Sequence, residues 1–256
     1  MREQKNRKKK IFLVLKIIGV LFCTIIGGYG ILRAPESDQS ELEESLRKNE
    51  QQLALELEQP DEESADQAGI SENMHPENPQ SPSSQPQEKA VPESDLSGTL
   101  TVIGDSVFLG AAPSFKKLVA DTVIDAKVSR QVYQALDVAK KLNKKNKLRN
   151  TVVLSLGING NFNPATGQEL IDYLGPGRTI CWINAFGKEK DIQRDVNETI
   201  RNLAQSNINV HVISWAEEAK KHPDWFYRDG THLNEKGQPG FASFVKKELS
   251  RELKSQ

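Results

Sequence analysis

The chain has 256 residues, 34 basic against 35 acidic side chains, 37% hydrophobic residues and two cysteines. This length fits one or two domains, and two well-separated cysteines, Cys23 and Cys181, exclude a dense disulfide framework and a four-cysteine zinc site. The net charge of −1 conceals a sorting along the chain: residues 1–33 hold 8 basic and 1 acidic side chains, residues 34–97 hold 3 and 17, and residues 98–256 hold 23 and 17.

Residues 1–10 read as a basic cytoplasmic tail carrying Arg2, Lys5, Arg7, Lys8, Lys9 and Lys10. The next 22 residues, 11–32, are apolar or small except for Lys16, Thr24 and Tyr29. A helix of that length crosses a hydrocarbon core ~30 Å thick, and Lys16, near the basic end, can reach back to the headgroups. The run is longer than the h-region of a cleaved signal peptide and no small-residue cleavage site stands out after it. It predicts a single-pass signal anchor in the cell membrane. By the positive-inside rule everything beyond Arg33 is then extracytoplasmic, which excludes nucleic acid as a partner.

Residues 33–97 read as an acidic, Pro-rich disordered linker or stalk. Seven of the twelve prolines lie there and no Phe, Trp or Tyr does, so too little apolar surface is available to offset chain entropy. Within it, Leu42, Leu46, Leu53 and Leu57 fall on helical spacing. They fit either a short amphipathic or coiled-coil helix over 40–59 or a transient helix in a disordered linker.

Residues 98–256 are enough for one ordinary core. Strand-like runs at 100–103, 122–125, 151–156, 179–183 and 209–213 alternate with helical patterning, clearest at 132–145, 191–206 and 240–253. That alternation predicts a three-layer α/β/α fold with a central, mainly parallel sheet, flavodoxin-like in class, whose sites form at the carboxyl ends of the strands.

Three stretches follow such strand ends or precede the last helix. Gly104-Asp105-Ser106-Val107 is a short turn into Phe108-Leu109-Gly110. A serine there has its hydroxyl lifted above the sheet and its N–H at a helix N-terminus, which suits a nucleophile and half of an oxyanion site; an ordinary helix cap fits the same residues. Leu156-Gly157-Ile158-Asn159-Gly160 places a side-chain amide at another strand end, either an oxyanion donor or a turn residue. Asp229-Gly230-Thr231-His232 can fold so that the carboxylate orients the imidazole toward a distant serine. His211 and His222 have no such setting, the first in a strand-like run and the second before a proline. The cluster Lys140, Lys141, Lys144, Lys145, Lys147 and Arg149 reads as a solvated helix face, Trp182 as core and Trp225 as a rim residue able to stack on a sugar. No metal or cofactor is implied, because nothing shows ligand spacing.

In chain order, Gly104-Asp105-Ser106, Gly157-Ile158-Asn159 and Asp229-Gly230-Thr231-His232 resemble the block signatures of the SGNH, or GDSL-like, hydrolase superfamily. More narrowly, residues 101–107 with 124–131 look like the extracytoplasmic catalytic domain of bacterial peptidoglycan O-acetyltransferases. The resemblance implies an SGNH hydrolase-like catalytic domain over 98–256, with Ser106 as nucleophile, Asp229 and His232 completing the triad, and Asn159 and backbone N–H groups forming the oxyanion hole. Ser129 stands where the superfamily usually has a glycine whose N–H faces the oxyanion. Those O-acetyltransferases usually carry a multi-spanning acyltransferase module, whereas one span is expected here, which leaves the acyl supply route open, a separate multi-spanning membrane acyltransferase being one candidate partner.

The implied activity is that of a serine acyltransferase acting on O-acyl groups, acetyl first, of cell-wall glycan such as peptidoglycan, by a Ser-His-Asp acyl-enzyme mechanism. A cell-wall carbohydrate O-acetyl esterase is the first alternative and a non-catalytic wall-binding module the second.

Overall fold

The computed structural model describes residues 38–59 and 96–254. The chain divides into two compact units, Met1–Glu44 and Ser45–Gln256. In the first, the described residues are the opening turns of helix α1 (Asp38–Glu58). The expected membrane span at 11–32 and the linker from 60 to 95 lie outside the described residues. Among the described residues no helix is long and apolar enough to cross a membrane.

In the second unit the remainder of α1 is followed by β1 (Leu100–Gly104), α2 (Ser106–Leu118), β2 (Val123–Ala126), a 3₁₀ turn (Val132–Gln134), α3 (Ala135–Lys144) and β3 (Thr151–Ser155). Then come α4 (Pro164–Leu174), β4 (Thr179–Ile183), α5 (Lys190–Ser206), β5 (Val210–Ile213), α6 (Trp215–Ala219), a second 3₁₀ turn (Pro223–Trp225) and α7 (Gly237–Lys254). The sheet order is β2-β1-β3-β4-β5 and every pairing is parallel. All residues of the central strands β1 and β3 are buried, as expected for a sheet covered on both faces. Gly104 is in register with both Ala126 and Ser155, so the residues after β1, β2 and β3 leave the sheet at one edge.

Alternate strand residues serve two cores. Ile103, Leu154 and Trp182 pack with residues of α3, α4 and α5, among them Leu142, Leu170, Ile171 and Ile200. On the other face Phe108 meets Phe115 and Phe241 edge-on at 5.3 and 5.8 Å, and Phe241 meets Trp215 at 4.8 Å. These aromatic contacts fix α2 against α7 directly behind the turn that carries Ser106.

Of the two readings of residues 40–59, the structure has the stable helix, α1, rather than a transient one in a disordered linker. Leu46, Leu53 and Leu57 of α1 are buried, and burying each leucine favours folding by about 2 kcal/mol, which a polar linker does not offer. Leu57 joins the core containing Ala139 and Leu142. Nor is the basic cluster merely a solvated face. Lys145 and Lys147 donate to carbonyls at the C-terminal end of α1, Lys147 to Glu56 and Gln59 at 3.1 and 2.6 Å and Lys145 to Leu57 at 3.3 Å. Cations at a helix C-terminus satisfy orphan carbonyls and oppose the dipole. Ion pairs Glu58–Lys145, at 2.9 Å, and Glu56–Lys116 add to the attachment.

Candidate active site

The N-terminus of α2 positions the nucleophile candidate. Asp105 is the helix cap, its carboxylate accepting the N–H of Val107 at 3.0 Å, while its own N–H donates to the Ser155 carbonyl at 3.0 Å. Ser106 is thereby held at the first helical position, where a backbone N–H has no intrahelical acceptor. Burial pushes the Asp105 carboxyl up to about 7, against the lowering effect of the Val107 hydrogen bond and the Arg130 charge.

The loop after the second 3₁₀ turn supplies the other two groups. His232 Nε2 lies 2.8 Å from Ser106 Oγ, and His232 Nδ1 lies 2.6 Å from Asp229 Oδ2. Asp229 Oδ1 also accepts the N–H groups of Thr231 and His232 at 2.8 and 2.9 Å. Partial burial acts to raise the Asp229 carboxyl; these bonds, led by that from the His232 side chain, outweigh it and hold the group below the ordinary aspartate value. Gly230 has φ +65°, a left-handed turn that glycine adopts without a Cβ clash.

Asn234, which the sequence did not single out, braces this loop. Its Nδ2 donates to the carbonyls of Asp224 and Phe226, and its Oδ1 accepts from Lys236 and Gly237 at the start of α7. An Asn just before a helix is a capping signal legible in the sequence. Thr231 Oγ1 accepts from Lys188 N at 3.3 Å, tying the loop to the segment after β4.

Of the two remaining candidates, Asn159 is bonded to the residues that follow Ser129. Asn159 Nδ2 donates to the Arg130 carbonyl at 3.1 Å, and Gln131 Nε2 donates to the Asn159 carbonyl at 2.8 Å. One Nδ2 proton of Asn159 is thus used to hold the loop containing Ser129, and an amide nitrogen has a second. Ser129 has φ +58°, the left-handed conformation that a glycine would take without strain.

Arg130 is the second unanticipated residue. Almost fully buried, it donates to the Gly104 carbonyl at 3.1 Å, to the Asp125 carbonyl, and to Asp125 Oδ1 at 2.5 Å. With Lys127 N donating to the same Gly104 carbonyl at 3.1 Å, it ties the Ser129 loop to the end of β1, one residue before the helix cap. Nothing in the sequence distinguished this arginine from a surface one.

Trp225 differs from its expected role. His222 stacks on its ring at 3.8 Å between centroids, and the space over Gly240 is filled by the far edge of the indole. It packs the segment before the Asp229–His232 loop onto α7, and one face of its ring is already covered by an imidazole.

Chemically, a hydroxyl, an imidazole and a carboxylate in line permit proton transfer from Ser106 to His232 as the oxygen attacks a carbonyl. Among the described residues no group of His, Cys, Asp and Glu is arranged to hold a metal ion.

No family model matches the chain. O-acetyltransferase OatA of Staphylococcus aureus (strain NCTC 8325 / PS 47) is 30% identical over 149 residues, 58% of this chain and 24% of that protein. The chain thus spans about a quarter of the length of the curated relatives it matches. The C-terminal catalytic domain of Streptococcus pneumoniae peptidoglycan O-acetyltransferase A, solved with a methylsulfonyl adduct, superposes with a TM-score of 0.53 at 21% identity, covering 60% of this chain and 94% of that one. The esterase EstA from Pseudoalteromonas sp. does so with a TM-score of 0.50 at 12% identity, covering 61% and 99%. With the parallel sheet and the Ser106–His232 hydrogen bond, these likenesses establish that the chain carries a domain of the SGNH, or GDSL-type, hydrolase fold, similar in sequence to O-acetyltransferases.

Proposed function

We propose that the domain is the extracytoplasmic catalytic part of a membrane-anchored serine O-acyltransferase that places acetyl groups on cell-wall glycan, with peptidoglycan as the first candidate. The observation carrying this reading is the 2.8 Å separation of His232 Nε2 and Ser106 Oγ, with Asp229 behind the imidazole at 2.6 Å. Similarity to OatA of Staphylococcus aureus supports the acyl-transfer class, and the superposition on a peptidoglycan O-acetyltransferase domain supports the acceptor.

In this mechanism His232 takes the Ser106 proton as Oγ attacks the donor's ester carbonyl. The tetrahedral oxyanion is stabilised by the N–H of Ser106, the N–H of Ser129 and the Asn159 amide. Collapse expels the donor alcohol, which receives the proton from His232, and leaves an acyl-serine. A glycan hydroxyl, deprotonated by His232, then attacks the acyl-serine carbonyl; the bond to Ser106 Oγ breaks, His232 returns the proton to Oγ, and the glycan carries the acetyl group away. A separate multi-spanning membrane acyltransferase is one proposed source of the acyl group. The span at 11–32 anchors the domain on the outer face of the membrane.

A cell-wall carbohydrate O-acetyl esterase, in which water resolves the acyl-serine, is favoured by one observation. The side chains of His232 and Asp229 remain 24% and 42% exposed, so water reaches the triad.

The test is turnover of an aryl acetate by the full chain and by Ser106→Ala, with and without a peptidoglycan oligosaccharide. Acylated sugar detected by mass spectrometry identifies the transferase, and acetate release that the sugar leaves unchanged identifies the esterase. Undiminished turnover by Ser106→Ala overturns both.

A further inference from the structure

Helix α1 touches the domain at the two elements on which the proposed chemistry depends. Pro113 lies inside α2 and has no N–H, so the i→i−4 hydrogen bond that would end on the Leu109 carbonyl cannot form. Asn49 of α1 donates its Nδ2 to that same carbonyl at 3.1 Å. One residue on, Gly110 faces α1, and a Cβ there would stand 3.7 Å from Leu46 Cδ2. The helix that begins with Ser106 therefore has a gap in its own ladder which a side chain from α1 fills, beside a glycine that lets α1 approach.

The residue after Asn49 reaches the other element. Glu50 Oε2 accepts the N–H of Val128 at 3.4 Å, immediately before Ser129 with its left-handed backbone. Adjacent residues of one helical turn thus hold the nucleophile helix and the Ser129 loop, while Leu53, Leu57 and the lysine contacts attach the remainder of α1.

We propose that α1 is a brace for the catalytic centre, with Asn49 and Glu50 as positioning residues that set the spacing between the Ser106 turn and the Ser129 loop. This rests on the oxyanion role given to those two residues above.

The experiment compares the full-length chain with Asn49→Leu/Glu50→Ala, Glu50→Ala, Glu50→Gln and Ser106→Ala. It measures kcat and KM for an aryl acetate, the rate of labelling by a sulfonyl fluoride, and the thermal midpoint. The double variant is expected to lose about tenfold or more in kcat and in labelling rate, with KM within about twofold, because small misplacements of reacting groups are costly. Glu50→Gln, which keeps an acceptor oxygen, restores both relative to Glu50→Ala. A double variant with a lowered midpoint but wild-type kcat and labelling overturns the brace, since a merely structural role behaves that way. Should the double variant fail to fold, wild-type kcat in Glu50→Ala overturns it equally. If Ser106→Ala is inactive in those cases, only the brace falls; if Ser106→Ala turns over normally, the reading of the site falls with it.

Discussion

Asp229 holds His232 at two points, the ring through Nδ1 at 2.6 Å and the backbone through its N–H at 2.9 Å. The carboxylate therefore sets the imidazole's tautomer and the shape of the loop that delivers it. Replacing it with an amide preserves an oxygen for the backbone contacts and removes the charge that stabilises a protonated ring. Asp229→Asn is expected to lower kcat on an aryl acetate on the order of 10³–10⁴-fold, as carboxylate-to-amide changes do in serine triads, with an unchanged far-ultraviolet circular dichroism spectrum. A loss of less than tenfold would show that Ser106 and His232 work without this partner.

The neighbouring carboxyl behaves in the opposite way. Asp105 is pushed up to about 7, chiefly by burial, whereas in the unfolded chain it ionises near 3.9. Between those values the folded state binds the extra proton, so its contribution to stability falls as pH rises and levels off once both states are ionised. From about pH 5 to pH 8 this amounts to a loss on the order of 2 kcal/mol. Asp105→Asn has nothing to ionise and still offers an oxygen to Val107. Its thermal midpoint relative to wild type should thus rise by roughly 5 °C between those pH values. A constant difference across that interval would mean that Asp105 is ionised throughout.

How legible these features were depends on where each partner lay. The strands were plain in the sequence because β1, β3 and β4 are nearly continuous apolar runs whose residues, all but the half-buried Thr179, are buried in the sheet. The helix after Ser106 was not patterned clearly: Ser106 through Ala112 are all buried, so no polar face alternates with an apolar one, and Gly110 and Pro113 oppose helix propensity. Ser106, Asp229 and His232 could be named from their spacing and turn chemistry, but Arg130 could not, since its meaning lies in two carbonyls and a carboxylate that only the register of β1 with β2 brings to it. The same holds for α1. Its leucine spacing was visible, while the surface that captures it is assembled from α2, the Ser129 loop and two lysines beyond α3.

Asn159 is the candidate whose two uses can be separated. Its amide holds the Arg130 carbonyl at 3.1 Å and in the proposed mechanism also faces the oxyanion. Asn159→Ala removes both and is expected to lower kcat about 10²–10³-fold, with KM within about twofold, because a developing negative oxygen exists only in the transition state. Equal losses for a neutral ester and for a sulfonyl fluoride would fit oxyanion stabilisation. A rise in KM with kcat intact would instead reduce Asn159 to a loop tether.

Ser129 tests whether the backbone or the side chain serves the site. Its φ of +58° costs a residue with a Cβ about 1 kcal/mol or more, and glycine relieves that strain while gaining freedom in the unfolded chain. Ser129→Gly should therefore range from neutral to stabilising by up to ~1 kcal/mol, raising the thermal midpoint by about 0–4 °C, and keep kcat within about twofold because the N–H is retained. Ser129→Val, β-branched at a left-handed position, should unfold earlier. If the glycine variant folds at least as stably yet loses tenfold or more in kcat, the hydroxyl rather than the N–H is what the reaction uses, and the oxyanion hole must be drawn with a side-chain donor at that position.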